Sequence, residues 1–153
     1  RRNTATQGTR PMTTTTEFLL PILALVAWTL VLWFWMYATR IPAMKRAGID
    51  PQEAAHPGTY AHRMPEHARS VADNYNHLHE QPTVFYALMF FIVLTGGATA
   101  GTLSLAWAYV GSRVVHSVVQ STINKVVVRF VIFAFGSLLL VCMAVRELIR
   151  VLG

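Results

Sequence analysis

The sequence predicts an all-α membrane protein, a four-transmembrane-helix up-down bundle forming a single domain over residues 1–153. Three observations predict it. The chain is 54% hydrophobic and only 13% charged, where a soluble domain carries about a quarter charged residues; the mean hydropathy of +0.41 agrees. Apolar runs recur at 18–38, 71–95, 102–122 and 126–149, each close to the roughly 20 residues that cross the hydrocarbon core. The turns that separate the later runs are short, so those helices are antiparallel neighbours. The net charge is +6, yet no dense basic cluster with interleaved aromatics exists. The excess therefore reads as loop anchoring to a charged membrane face, and nucleic acid is excluded as a partner. The lone Cys142 excludes an intramolecular disulfide and reads as a small core hydrophobe.

Residues 1–16 form a polar N-terminal extension. Met12, followed by four threonines, reads as a natural start, and residues 1–11 are set aside from fold reasoning. The first span, from Phe18 to about Tyr37, is too long and too rich in tryptophan for a signal-peptide core. Trp28, Trp33 and Trp35 cluster toward its second end, where an interfacial aromatic belt is expected. Arg40, Lys45 and Arg46 then fall in the headgroup region. Residues 41–69 read as a polar connector broken by Pro42, Pro51, Pro57 and Pro65. Asp50 to Glu53 can start a short helical turn, but no periodic pattern is sustained. His56, His62 and His67 are irregularly spaced and read as solvated loop residues.

Ser70 and Asp73 resemble a capping box opening the second span. Pro82 within that span is expected to kink it or open a bulge. Residues 95–101 turn the chain into the third span, which carries Arg113, His116 and Gln120. Asn124 and Lys125 mark the next turn. The fourth span has Arg129 near its beginning and closes on Arg146, Glu147 and Arg150. Cations of the first connector and Lys125 share one side, which places that connector in the cytoplasm and both termini opposite.

The unusual residues of these spans converge. Asp73, His77 and Glu80 stand at i, i+4 and i+7, and Arg113, His116 and Gln120 at i, i+3 and i+7, so each set shares a helix face. A charge at membrane depth costs roughly 2.5–3.5 kcal/mol on insertion scales, so both faces must point inward. In an up-down bundle the start of span two, the end of span three and the start of span four lie at one level. That arrangement puts His77, Glu80, His116, Gln120 and Arg129 in one layer, with Asn76 beside them. Arg113 sits deeper and needs a carboxylate, for which Glu80 is the candidate. Structural glue that fixes helix register is the plainer reading of such contacts. A metal site from His77, His79, Glu80 and His116 is a further alternative, opposed by arginines that repel a cation, and no metal is expected.

At these residues the sequence resembles the MAPEG family, the membrane-associated proteins in eicosanoid and glutathione metabolism. The likeness runs from NYNHLHEQPTVFYAL through AWAYVGSRVVHSVVQ to NKVVVRF. Its motifs are Glu80 shortly before Pro82 and Phe85-Tyr86, a Gly-x-Arg-Val-x-His string at Gly111 to His116, and Arg129 sixteen residues after Arg113. The resemblance implies a homotrimer with a glutathione or related thiol site between subunits. It implies that Glu80 grips the amino end of glutathione, that His116 belongs to the pocket, and that Arg129 polarises the thiol. Asn76, His77, Arg113 and Gln120 fall in the same implied cofactor site, and Arg40 matches an arginine for a glutathione carboxylate. Glutathione-using members usually carry Arg-Asn where Asn76-His77 stand here, and a tyrosine where Gln120 stands, which makes this chain similar to divergent bacterial-type members.

The resemblance further implies a transferase or peroxidase acting on lipophilic small molecules that enter from the bilayer. The expected setting is a bacterial inner membrane, with the lipid bilayer as the first partner. The alternative is a non-enzymatic lipid-binding protein or an accessory scaffold subunit of a larger membrane complex.

Overall fold

The computed structural model describes residues 14–55 and 58–153. Met12, the rest of the stretch before Thr14, and His56 and Pro57 lie outside the described residues. Helix α1, Thr15–Arg46, opens on a reciprocal capping box. The Thr14 hydroxyl accepts from the Glu17 N–H at 3.2 Å, and the Glu17 carboxylate accepts from the Thr14 N–H at 3.0 Å. The helix runs past the expected end at 38 and through Pro42. Its last turns are drawn in because Ala43 is buried in a small satellite core with Ile49, Tyr60, Met64 and Ala68.

The connector over 41–69 thus has a small core of its own, and the short helical turn expected from Asp50 to Glu53 is present. Two 3₁₀ turns, Pro51–Ala55 and Ala61–Arg63, lead into α2, Glu66–His77. Arg63 holds the segment in place. It donates to the carbonyls of Ala47 and Gly48, both at 3.1 Å, and to the Glu53 carboxylate at 2.6 Å. Carbonyl groups at the end of α1, which have no helical partner, are thereby satisfied. Helix α2 starts after Pro65, so Ser70 and Asp73 do not cap it; Ser70 lies mid-helix and is buried.

The second expected span is two helices. Helix α2 ends at His77, residues 78–80 form a hydrogen-bonded turn, and α3 covers Gln81–Leu94 with Pro82 in its first turn. Proline is tolerated in a first turn, where its missing N–H has no partner anyway, so the chain breaks before Pro82 and does not bend around it. Alone, α3 measures about 21 Å, short of the hydrocarbon thickness. A turn at Thr95 to Thr99, with Gly96 at φ +71°, leads to α4, Ala100–Ser121, capped by the Thr99 hydroxyl. The turn through Asn124, at φ 49°, leads to α5, Val126–Leu152.

Phe18, Leu25 and Leu32 of α1 recur every seven residues and meet Phe85, Met89 and Ile92 of α3, Ala106 and Tyr109 of α4, and Leu140 and Met143 of α5. Phe85 and Tyr109 stack at 4.6 Å. Helix α5 buries only Gly136, Leu140, Met143 and Glu147, a single stripe. Much of its remaining surface is apolar and exposed, including Cys142, which is not a core residue. Among the described residues, α1 and α5 are long and apolar enough to cross a membrane.

A polar clamp closes the end of the bundle at the α3–α4 turn. Arg150 donates from Nε to Glu147 at 2.8 Å, from Nη2 to the Thr95 hydroxyl at 2.6 Å and from Nη1 to the Thr95 carbonyl at 3.2 Å. Glu147 is 4% exposed, so removing its partner strands a buried carboxylate. Arg150→Ala is expected to cost about 1–3 kcal/mol. Adding Glu147→Gln should return part of that loss, because a neutral amide is cheaper to bury. Thermal unfolding midpoints of the single and double variants in detergent check both outcomes.

Candidate functional site

One buried face of α4 changes character along its length. Thr102, Ala106, Tyr109 and Val110 give way to Arg113, His116, Ser117, Gln120 and Ser121. The face expected from sequence is thus real, and it is longer than expected. His116 and Gln120 are one turn apart, and the ring Nε2 stands 3.1 Å from the amide oxygen. An amide oxygen only accepts, so His116 donates from Nε2. Its Nδ1 is buried with no partner among the described residues.

Two further elements bring side chains to His116. From the end of α2, the His77 ring lies 6.3 Å from the His116 ring at a 37° tilt. From the first turn of α5 comes Arg129. Together these three line a groove of about 190 Å³ whose remaining walls are Val126, Phe130 and Phe133. His77, His116 and Arg129 therefore meet as their positions in sequence predict, and Gln120 joins them through its hydrogen bond with His116. Arg129 donates from Nη1 to the Asn124 side-chain oxygen at 2.7 Å. Its Nε is buried and has no partner among the described residues.

Glu80 does not join them. It is exposed, heads α3 at the turn after α2, and makes no ion pair among the described residues. The cause is the break after His77, which ends the helical register that would have carried Glu80 onto the same face. Arg113 consequently has no carboxylate among the described residues. The guanidinium of Arg113, only 3% exposed, lies 5.3 Å from the Tyr109 ring centre and 5.1 Å from that of Phe133. It also donates to the Phe133 carbonyl at 3.4 Å. Aromatic faces take the place of a counter-ion. Gly136 makes the room: a Cβ there would collide with the Arg113 guanidinium and come within 2.8 Å of the Ser112 hydroxyl.

Asn76 and Arg40 occupy a different place. They line a recess of about 490 Å³ with Tyr60, Arg69 and Asp73, on the connector side of α2. Arg40 hydrogen-bonds the Tyr60 hydroxyl and lies 5.6 Å above its ring. Asp73 is on this wall, so it does not share a working face with His77. His79 is engaged locally, its Nδ1 2.9 Å from the Tyr75 carbonyl and its ring 4.6 Å from the Tyr75 ring at a 59° tilt. Among the described residues, no three His, Cys, Asp or Glu side chains are grouped to hold a metal.

Sequence reasoning missed the residues that hold the layer together. The Asn74 amide, fully buried, donates to the Ser117 carbonyl at 3.1 Å and to the Ser121 hydroxyl at 2.8 Å, pinning α2 to α4. Its signal was available: Arg113, Ser117 and Ser121 continue the same face at i, i+4 and i+8, and Asn74 precedes His77 by one turn. Asn124 was visible only as a turn residue. Chemically, the groove offers guanidinium and imidazole groups, and among the described residues no carboxylate stands against either Arg113 or Arg129. Such an arrangement suits an anion.

Gly136→Ala is expected to destabilise by about 1–3 kcal/mol by forcing the guanidinium aside. In an Arg113→Ala background the same change should cost far less, and a double-mutant cycle on unfolding midpoints in detergent measures that coupling.

A family model described as the MAPEG family matches residues 18–149. No curated protein and no solved structure matches the chain. The family is membrane bound, in keeping with the apolar outer faces of α1 and α5, and the chain is a membrane protein.

Proposed function

We infer that this chain, which belongs to the MAPEG family, binds glutathione or a related thiol and transfers it to lipophilic electrophiles or uses it to reduce lipid peroxides. The observation that carries this reading is the Arg129 guanidinium, opposed by no carboxylate among the described residues, in a groove shared with His77 and His116. A thiol has an ordinary pKa of about 8.5 and is mostly protonated at neutral pH. A guanidinium, which keeps its own proton, stabilises the thiolate beside it. The thiol proton leaves to water through the open side of the groove. The sulfur then forms a bond to the electrophilic carbon while the leaving group departs with its electron pair. Val126, Phe130 and Phe133 supply an apolar wall for the acceptor.

The size of the groove bears on assembly. Ligand pockets for small molecules run from about 300 to 1,000 Å³, and about 190 Å³ holds only part of a tripeptide. The recess around Arg40 and Asn76 offers a second set of polar groups on another face of the same chain. We therefore read the complete site as composite: the Arg129 groove of one copy faces the Arg40 recess of the next, in a homotrimer of which each chain makes four crossings. Glu80, exposed at the break, is free to meet a ligand's amino group in that arrangement. The setting is the one expected from sequence, a bacterial inner membrane with the connector on the cytoplasmic side.

Arg129→Leu is expected to abolish turnover of glutathione with a lipophilic electrophile while native mass spectrometry still shows the trimer; unchanged turnover removes the mechanism. Co-expressed Arg40→Ala and Arg129→Leu subunits should recover part of the activity that each lacks alone, because mixed trimers contain interfaces with both arginines intact. No recovery in verified mixed trimers refutes the composite site. Absence of binding heat with glutathione, together with retained lipid or a co-purifying protein, would favour the accessory-subunit reading.

A further inference from the structure

Behind Arg129, at the α4–α5 turn, stands a side chain that takes no direct part in the reaction. Asn124 accepts a hydrogen bond from Arg129 Nη1 at 2.7 Å and donates one from Nδ2 to the Ser70 hydroxyl of α2 at 3.0 Å. We propose that Asn124 is a positioning residue that fixes the Arg129 guanidinium in the groove without neutralising it, with Ser70 setting the orientation of the amide. The proposal deepens the reading of Arg129 as the thiol-activating group and rests on it.

An arginine side chain has many rotamers, and holding one of them costs entropy unless a fixed partner captures the head. Here the partner belongs to a turn whose backbone sits at φ 49°, a region asparagine tolerates and most residues avoid. The amide is itself anchored at both ends, its oxygen to Arg129 and its nitrogen to Ser70, which is buried on α2. With Nη1 tied back toward the turn, the buried Nε has no partner among the described residues. The chemistry of the partner matters as much as its place. An aspartate in the same position would make the same hydrogen bond and cancel the charge that stabilises a thiolate. Asparagine holds the guanidinium and leaves its full charge for the ligand.

The test uses full-length protein in detergent and two independent readouts. Glycine accepts the positive φ, so Asn124→Gly removes the amide without straining the turn. The first readout is the rate at which phenylglyoxal modifies Arg129, followed by peptide mass spectrometry. It is expected to rise about tenfold in Asn124→Gly, matching the loss of one charge-assisted hydrogen bond, and by less in Ser70→Ala. Asn124→Asp should keep the wild-type rate. Modification of Arg113 should stay unchanged; a parallel rise at Arg113 means a loosened bundle and overturns the positioning role. An Arg129 rate in Asn124→Gly equal to wild type also overturns it.

The second readout is the ultraviolet absorbance of bound glutathione thiolate against pH. The midpoint should move up by about half to one pH unit in Asn124→Gly, and further in Asn124→Asp, where the hydrogen bond survives but the charge does not. A midpoint in Asn124→Asp at or below wild type overturns the neutrality argument. Wild-type protein that binds no thiolate defeats the thiol reading on its own, while the modification rates still decide the tie between Asn124 and Arg129.

Discussion

The structure depends on burying the second half of the inward face of α4. Arg113, His116, Ser117, Gln120 and Ser121 are polar, and each is nearly inaccessible. In a low-dielectric interior an unpaired group of this kind costs on the order of 1–3 kcal/mol or more, so the neighbouring helices have to present partners at matching heights. Asn74 of α2 and Phe133 of α5 do so, the Tyr109 ring on α4 itself faces Arg113, and Gly136 of α5 leaves the guanidinium room. The apolar half of α4 packs as an ordinary helix in a bundle. Helix register and helix distance across the polar half are set by those few contacts.

From this constraint the site arises with little added. Pinning α2 to α4 through Asn74 brings His77, one turn on, up to His116. The short α4–α5 turn places Arg129 in the next layer, close enough to share a groove with both rings. Arg113 and Arg129 are treated differently. Arg113 is sealed between two rings and has the character of a structural cation, whereas Arg129 is held by one corner and fronts a groove. A bundle in which both were paired with carboxylates would have no affinity to spare for an anion.

The legible parts of this arrangement were those where polarity breaks an apolar run. Arg113, His116 and Gln120 stand out in the third span, and helical spacing alone puts them on one face. Arg129 stands out in the same way, and antiparallel connectivity brings it to their level. Glu80 was misplaced because a proline inside a helix and a proline opening a new one look alike in sequence; only the turn at residues 78–80 decides where the register ends. The connector's short turn after Asp50 was legible, but its small core was not, because that core draws on residues scattered from Ala43 to Ala68, with no period to reveal them. Cys142 was misread because the middle of α5 is apolar all round, and what marks the inner face is the space at Gly136 and the carboxylate at Glu147. Asn124 was hidden by a residue type that a turn at positive φ explains by itself.

Arg63, spanning the end of α1 and the 3₁₀ turn that holds Glu53, has a consequence beyond the fold. The walls before Arg40 and Tyr60 come from a segment already fastened at its middle and both ends. A molecule docking there meets furniture bolted to the floor: the encounter demands little further ordering, and more of the contact energy survives as affinity.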